Sequence, residues 1–234
     1  MNNLIVSTSP HIRSDESVPK IMWTVVISLL PAVIAGAYFF GINADGSYSL
    51  RPVFVLLGSV LVAVITEAVI LRLRKKDATQ ALDGSAVITG LLFAMVCSSS
   101  VPWYVVVLGS FFSIAVGKQL FGGLGHNIWN PALIGRAFAL MAWGIEMGKR
   151  WPIPMKADVL SGPTPLDVVK LSDSTVTPYS ISDLFIGKAP GCLGEVSALL
   201  LLIGGLFLIA RKYIDWRVPV SYILTAVILC LIIP

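Results

Sequence analysis

An all-α, polytopic membrane protein with broken or re-entrant helices is the fold class that this sequence predicts, and three observations carry it. Of the 234 residues, 56% are apolar and only 13% are charged, with a mean hydropathy of +0.85; soluble domains carry roughly 25% charged residues. Several apolar stretches approach the ~20 residues that a helix needs to cross a ~30 Å hydrocarbon core. Two further stretches are short or begin among Gly, Asn and Pro, and irregular backbone persists at membrane depth only where protein or a cavity satisfies it.

The candidate spans are 21–40, 53–71, 85–98, 103–117, 131–148, 196–210 and 218–234. The third, "DGSAVITGLLFAM" running into "CSSSVP", is short for a full crossing. The fifth follows "FGGLGHNIWNPALIG", whose Gly, Asn and Pro sit immediately before the apolar run. Broken helices fit both, and so do ordinary loops capping short tilted helices. No internal repeat is visible. The chain ends straight out of "YILTAVILCLIIP", so a C-terminally incomplete single transmembrane domain, 1–234, is expected, with a long polar loop at 149–195.

Lys and Arg orient the spans. With the N-terminus cytoplasmic, Arg13, Lys20, Arg72, Arg74, Lys75, Lys76, Lys118, Arg211, Lys212 and Arg217 fall inside, against Arg51, Lys149, Arg150, Lys156, Lys170 and Lys188 outside. The "RLRKK" cluster in a short loop decides the orientation, because long loops cross despite their charges. The 149–195 loop is therefore expected to be extracytoplasmic, in a multi-pass protein of the cell (inner) membrane. The first segment follows the polar "HIRSDESVPK" and ends in no small-residue cleavage site, which reads as an anchor.

The net charge of +4 and pI of 9.0 do not point to nucleic acid, since the basic residues flank apolar runs and serve as topology signals. Cys97, Cys192 and Cys230 lie far apart with no CxxC pair, which argues against a zinc or iron–sulfur site built by this chain alone.

Within the long loop, "DVLSGPTPLD" fixes the backbone on both sides of Thr164 with Gly162, Pro163 and Pro165. A threonine hydroxyl is a poor nucleophile without a base or metal, and His11 and His126 are both assigned to the other face. What remains is a hydroxyl displayed to another enzyme's group transfer, or a plain turn.

Asp158 to Thr164, "DVLSGPT", resembles the D-x-x-[ST]-G-[AS]-[ST] signal by which a flavin transferase attaches FMN to threonine through a phosphoester; Asp158, Ser161, Gly162 and Thr164 match, and Pro163 departs. With "TGLLFAM", "FGGLGHNIWNPALIGRAF" and "DLFIGKAPGCLGEVSALLLLIGG" in the same order, nearly the whole chain resembles the D subunit of the Rnf electron-transport complex and the homologous B subunit of the sodium-pumping NADH:quinone oxidoreductase. The first span begins near residue 21, without the longer N-terminal extension of the quinone-reductase subunit, so the Rnf subunit fits better. The resemblance implies an inverted-repeat fold of about ten helices, similar to urea-transporter-like channels, of which this chain would lack roughly the last three.

It also implies a function. A subunit of an ion-translocating ferredoxin:NAD oxidoreductase, not catalytic alone, would relay electrons through covalent FMN on Thr164 and couple them to Na⁺ or H⁺ movement. A second, noncovalent flavin is a further expectation. Partners are the other membrane and peripheral subunits and, during maturation, the flavin transferase. The phosphoester tether keeps the flavin from diffusing away, and protein dipoles around it set its potential. Asp158 holds the transferred group's metal or the loop, or is a solvated turn carboxylate. Three other readings stand beside this one: the B-type quinone-reductase subunit, a passive solute channel without cofactor, and a scaffold for neighbouring redox subunits.

Other polar residues have structural readings of their own. Glu67 is expected to snorkel or pair with Arg72, about a turn away. Arg136 follows "NPALIG" and is read as a flavin-phosphate ligand or an anchoring cation. Asp83, Thr89, Asn127 and Asn130 are candidates to line a cavity. Trp103, Trp143 and Trp151 read as interface anchors, and Glu195 as an acidic residue favoured by the dipole at the head of the sixth span.

Overall fold

Ser17 caps the first helix: its Oγ accepts the Lys20 amide at 3.4 Å, and a proline, Pro19, occupies the first turn, where a missing N–H costs nothing. In the computed structural model, which describes residues 16–148, 151–160, 164–165, 168, 180–195 and 197–232 (backbone alone at 157–160 and 181), the apolar run that follows is α1 (Val18–Phe39). A turn closed by the Ile42–Tyr48 bridge leads into α2 (Arg51–Leu73). At 22 and 23 residues these helices rise about 33 and 35 Å, and they are the two described helices long and apolar enough to cross a membrane.

The shorter apolar helices are α3 (Ser85–Met95), α4 (Trp103–Ile114) and α5 (Pro131–Ala142). A five-residue α6 (Gly144–Gly148) leads to an antiparallel hairpin of β1 (Pro152–Ile153) and β2 (Lys156–Leu160). Then come α7 (Ile181–Ile186), α8 (Ala198–Ala210) and α9 (Arg217–Ile232). Each of the seven apolar segments is helical over most of its length, and the protein is mostly α-helix, as the composition requires.

Two segments differ from expectation. The fifth, 131–148, is not one helix: α5 stops at Ala142, because Trp143 leaves helical geometry (φ −136°, ψ 56°). Its ring stands edge-on to Tyr104 at 5.7 Å and to Phe138 at 5.8 Å, so the half-buried Trp143 packs against the core, whereas Trp103 is exposed. The fourth does not end as a regular helix; α4 runs into a π-turn, Ala115–Gln119. The third is short as expected: a 3₁₀ turn (Ala78–Leu82) precedes α3, whose 11 residues rise about 16 Å, roughly half the hydrocarbon core.

Without a hydrophobic drive between helices in lipid, packing depends on small residues and interhelical hydrogen bonds. Ser59 of α2 donates to the Gly90 carbonyl of α3 at 2.7 Å and meets the Ser110 hydroxyl of α4 at 2.8 Å, all buried. Gly90 lies so close to α2 that a Cβ there would stand 2.7 Å from Val60 Cα and 2.9 Å from the Ser59 carbonyl. The α4–α5 seam closes through the stacked Phe112 and Phe138 rings, 4.0 Å apart. In α9 no residue is buried.

Contacts sort the loops onto two ends. At one end Trp23 Nε1 donates to the Leu82 carbonyl (3.3 Å) and the Tyr213 hydroxyl to Glu16 (2.8 Å). At the other, the Met155 amide donates to the Phe39 carbonyl (2.7 Å), Arg51 to the Ser100 carbonyl (2.7 Å) and the Leu193 amide to the Cys97 carbonyl (3.0 Å).

Two glycine variants test the α2–α3 seam by thermal unfolding in detergent. Gly90→Val forces backbone apart and is expected to cost about 1–3 kcal/mol. Gly58→Ala, whose new Cβ meets only Val106 at 3.9 Å, should stay within about 0.5 kcal/mol of the parent. Equal losses at both positions would contradict the close approach.

Candidate functional site

The hairpin end leads into the segment that holds Asp158, Ser161, Gly162 and Thr164. Asp158 lies in β2, with its backbone alone described; Ser161 and Gly162 lie outside the described residues. Thr164 is half-buried, and its carbonyl accepts the Val168 amide at 3.0 Å. Upstream, the hairpin turn at Met155 (φ 62°) is tied to the end of α1. The segment thus departs from a fixed point.

At the same end, "GCLGE" docks on the corner between α3 and α4. The Cys192 thiol donates to the Val96 carbonyl at 3.3 Å, and Glu195 accepts the Cys192 amide at 2.9 Å. Burial, then the Glu195 carboxylate, pushes the Cys192 thiol up to about 12, while the Arg136 guanidinium beside it pulls the other way. A thiol kept protonated is inert as a nucleophile. Arg136 is half-buried on α5 and faces this corner. Glu195 does not head a membrane helix: it sits in a 3₁₀ turn, and Ser197 caps α8.

The opposite end holds the densest polar cluster among the described residues. Lys118, on the π-turn, places Nζ 2.7 Å from Glu67 Oε2 and 2.6 Å from Ser85 Oγ, and Gln119 Nε2 donates to Glu67 Oε1 at 2.9 Å. Asp83 accepts the Ser85 amide and hydroxyl, and Arg74 reaches Gln119 at 3.5 Å. The side chains of Lys118 and Glu67 are 2% and 5% exposed. Neither Arg72 as the partner of Glu67 nor Lys118 as a loop cation holds, then; the two form one buried ion pair. The π-turn, which shifts register by one residue, turns Lys118 and Gln119 inward.

Two cavities flank this pair. One of about 560 Å³ is lined by Glu67, Asp83, Gln119 and His126. The other, about 360 Å³, is lined by Ser85, Thr89, Lys118, Asn127 and Asn130. All four polar residues expected to line a cavity therefore do so. Asn127 Oδ1 is buried without a hydrogen-bond partner, and Asn130 also caps α5 through the Ala132 amide. His126 is at this end, away from the hairpin, so it is no base for Thr164. Sequence reading misses Lys118 as a site residue; the signal is a lysine inside "SIAVGKQLFGG", an apolar run with no charged neighbour.

The sequence matches the family described as NQR2, RnfD, RnfE over residues 5–234. It is 45% identical, over 99% of this chain and 70% of the relative, to the D subunit of the Na(+)-translocating ferredoxin:NAD(+) oxidoreductase complex of Acetobacterium woodii. It is 39% identical, over 97% of this chain and 69% of the relative, to the D subunit of the proton-translocating ferredoxin:NAD(+) oxidoreductase complex of Clostridium ljungdahlii. The D subunit of the ion-translocating oxidoreductase complex of Methanosarcina acetivorans is 35% identical over the whole chain and 70% of the relative.

The buried pair makes its own prediction. Lys118→Met leaves Glu67 without a countercharge and is expected to cost about 3–5 kcal/mol, while the double variant Glu67→Gln/Lys118→Met recovers most of that loss. A double-mutant cycle on thermal stability checks it; additive losses would show that the two side chains do not act as a pair.

Proposed function

Because the chain belongs to the NQR2, RnfD, RnfE family, we propose that it is the D-type membrane subunit of an ion-translocating ferredoxin:NAD oxidoreductase. The observation that carries this reading is the identity, over nearly the whole of this chain and about 70% of each relative, to two D subunits of ion-translocating ferredoxin:NAD(+) oxidoreductase complexes and to a third D subunit of an ion-translocating oxidoreductase complex. The helices fit a membrane subunit, with two long enough to cross and five shorter apolar ones among the described residues. Its partners are the other subunits of that complex.

The reading extends to the cofactor. Thr164, with Asp158, Ser161 and Gly162 as the recognition signal, carries FMN as a phosphoester through its hydroxyl, loaded by a flavin transferase. The donor set suits this role: a secondary alcohol on a half-buried residue next to Pro165, in a segment held at Met155, is accessible to another enzyme yet limited in swing. With no histidine at that end among the described residues, the alcohol is activated by the transferase. Once attached, FMN supplies one- and two-electron redox chemistry. Arg136 offers the half-buried cation facing that end of the bundle.

Orientation follows from charge. Lys20, Arg72, Arg74, Lys75, Lys76, Arg211, Lys212 and Arg217 cluster toward the end where α1 starts, against Arg51, Lys156 and Lys188 at the hairpin end among the described residues. The positive-inside rule then puts the former in the cytoplasm and Thr164 outside.

Co-expression with a flavin transferase, followed by peptide mass spectrometry, tests the cofactor assignment. The peptide containing Thr164 should carry the mass of FMN less water, and the denatured band should fluoresce. Thr164→Ala should lose both while the polypeptide still accumulates. An unmodified Thr164 peptide from complex competent in electron transfer would overturn the assignment.

A further inference from the structure

We propose that the groove between α2 and α4 binds an anionic phospholipid, with its phosphate on Arg51 and one acyl chain along the groove. The groove encloses about 590 Å³ and is lined almost wholly by apolar side chains, among them Phe54, Leu61 and Val62 from α2 and Trp103 and Val106 from α4. Gly58 forms its floor, since a Cβ there would meet nothing nearer than Val106 at 3.9 Å. The walls stay open outward: Phe54 is 70% and Trp103 77% exposed.

Three features select this occupant. The first is length. From Arg51 to Leu61 the groove follows α2 for ten residues, or about 15 Å, which is one leaflet of a ~30 Å core. The second is charge. Arg51 is the first residue of α2, at the end of an apolar span, and its guanidinium spends one N–H on the Ser100 carbonyl (2.7 Å); no other guanidinium N–H meets a partner among the described residues. A guanidinium recognises phosphate oxygens through paired N–H donors. The third is the rim, where the Trp103 indole sits at the same end as Arg51, as interfacial aromatics do. A transmembrane helix of another subunit would fill the apolar part but leave the guanidinium at headgroup depth without its counter-anion. The proposal concerns a surface separate from the Thr164 segment and does not depend on flavin attachment.

The intact complex, reconstituted in vesicles, is illuminated with phosphatidylglycerol or phosphatidylcholine bearing a diazirine on the acyl chain, and crosslinked peptides are mapped. Labelling across 51–62 and 101–107 should exceed that on the exposed α1 face at Trp23, Ile27 and Ile34. Phosphatidylglycerol should label the groove about five-fold more than phosphatidylcholine, the preference expected of one basic residue at the surface. Arg51→Gln should abolish the headgroup preference, and Gly58→Trp should reduce labelling by both lipids. Groove labelling no denser than on α1, or labelling without headgroup preference, overturns the proposal. So does a groove shielded by a crosslink to another polypeptide.

Discussion

The ion pair between Lys118 and Glu67 sets the conditions that the rest of one end of the molecule must meet. Taking two charges out of water costs several kcal/mol per ion, and their attraction offsets that only when geometry is good and the remaining donors and acceptors are used. Here they are used: Ser85 takes a second N–H of Lys118, and Gln119 serves the second oxygen of Glu67. Each of these partners fixes an element. Ser85 must open α3 at that depth, so the chain before it turns through a 3₁₀ segment and Gly84 (φ 93°). Lys118 and Gln119 both face inward from the π-turn that ends α4. The interruptions at this end, the 3₁₀ turn before Ser85 and the π-turn, thus precede or carry the partners of one buried ion pair.

The same pair shows where sequence reading works and where it stops. Apolar run length finds the seven apolar segments, each mostly helical, because a bilayer demands apolar helix and the demand is written in composition. It also marks the third segment as short, which α3 is. The partner of Glu67 is beyond it: Arg72, five residues on, points about 140° away around the same helix, whereas Lys118 is 51 residues distant and meets it through tertiary packing. The π-turn leaves no mark in composition. The break at Trp143 accompanies a contact that composition does not record, the packing of its ring against Tyr104 of α4. At the hairpin end, Thr164, Ser161, Gly162 and Asp158 are read from motif spacing alone, and packing has no part in that reading.

The two ends differ in kind. The α1-start end holds buried charge, orphaned Asn127 Oδ1 and two polar cavities. The hairpin end holds backbone ties, Met155 to Phe39 and Leu193 to Cys97, with an inert thiol and a half-buried guanidinium. Backbone ties of this sort give the segment that follows the hairpin a fixed origin at Met155. A charged, cavity-lined end has the opposite character, since its buried charges are already engaged with protein partners.

For a chain in a bilayer, an exposed leucine carries little information, because lipid and protein interior are equally apolar. Buried polar groups carry much more, since each must find a partner inside the protein. The hydroxyls of Ser59 and Ser110 and the charges of Glu67 and Lys118 all lie on α2 or on the α4 segment that packs against it. The remaining partner surfaces, Gly90 and Ser85, both belong to α3. The α2–α3–α4 group is therefore the rigid part of the described structure, fixed by polar contacts that tolerate little sliding. By contrast, α9 has no buried residue to restrain it. The trio thus bears one charged, cavity-lined end and one apolar groove between α2 and α4.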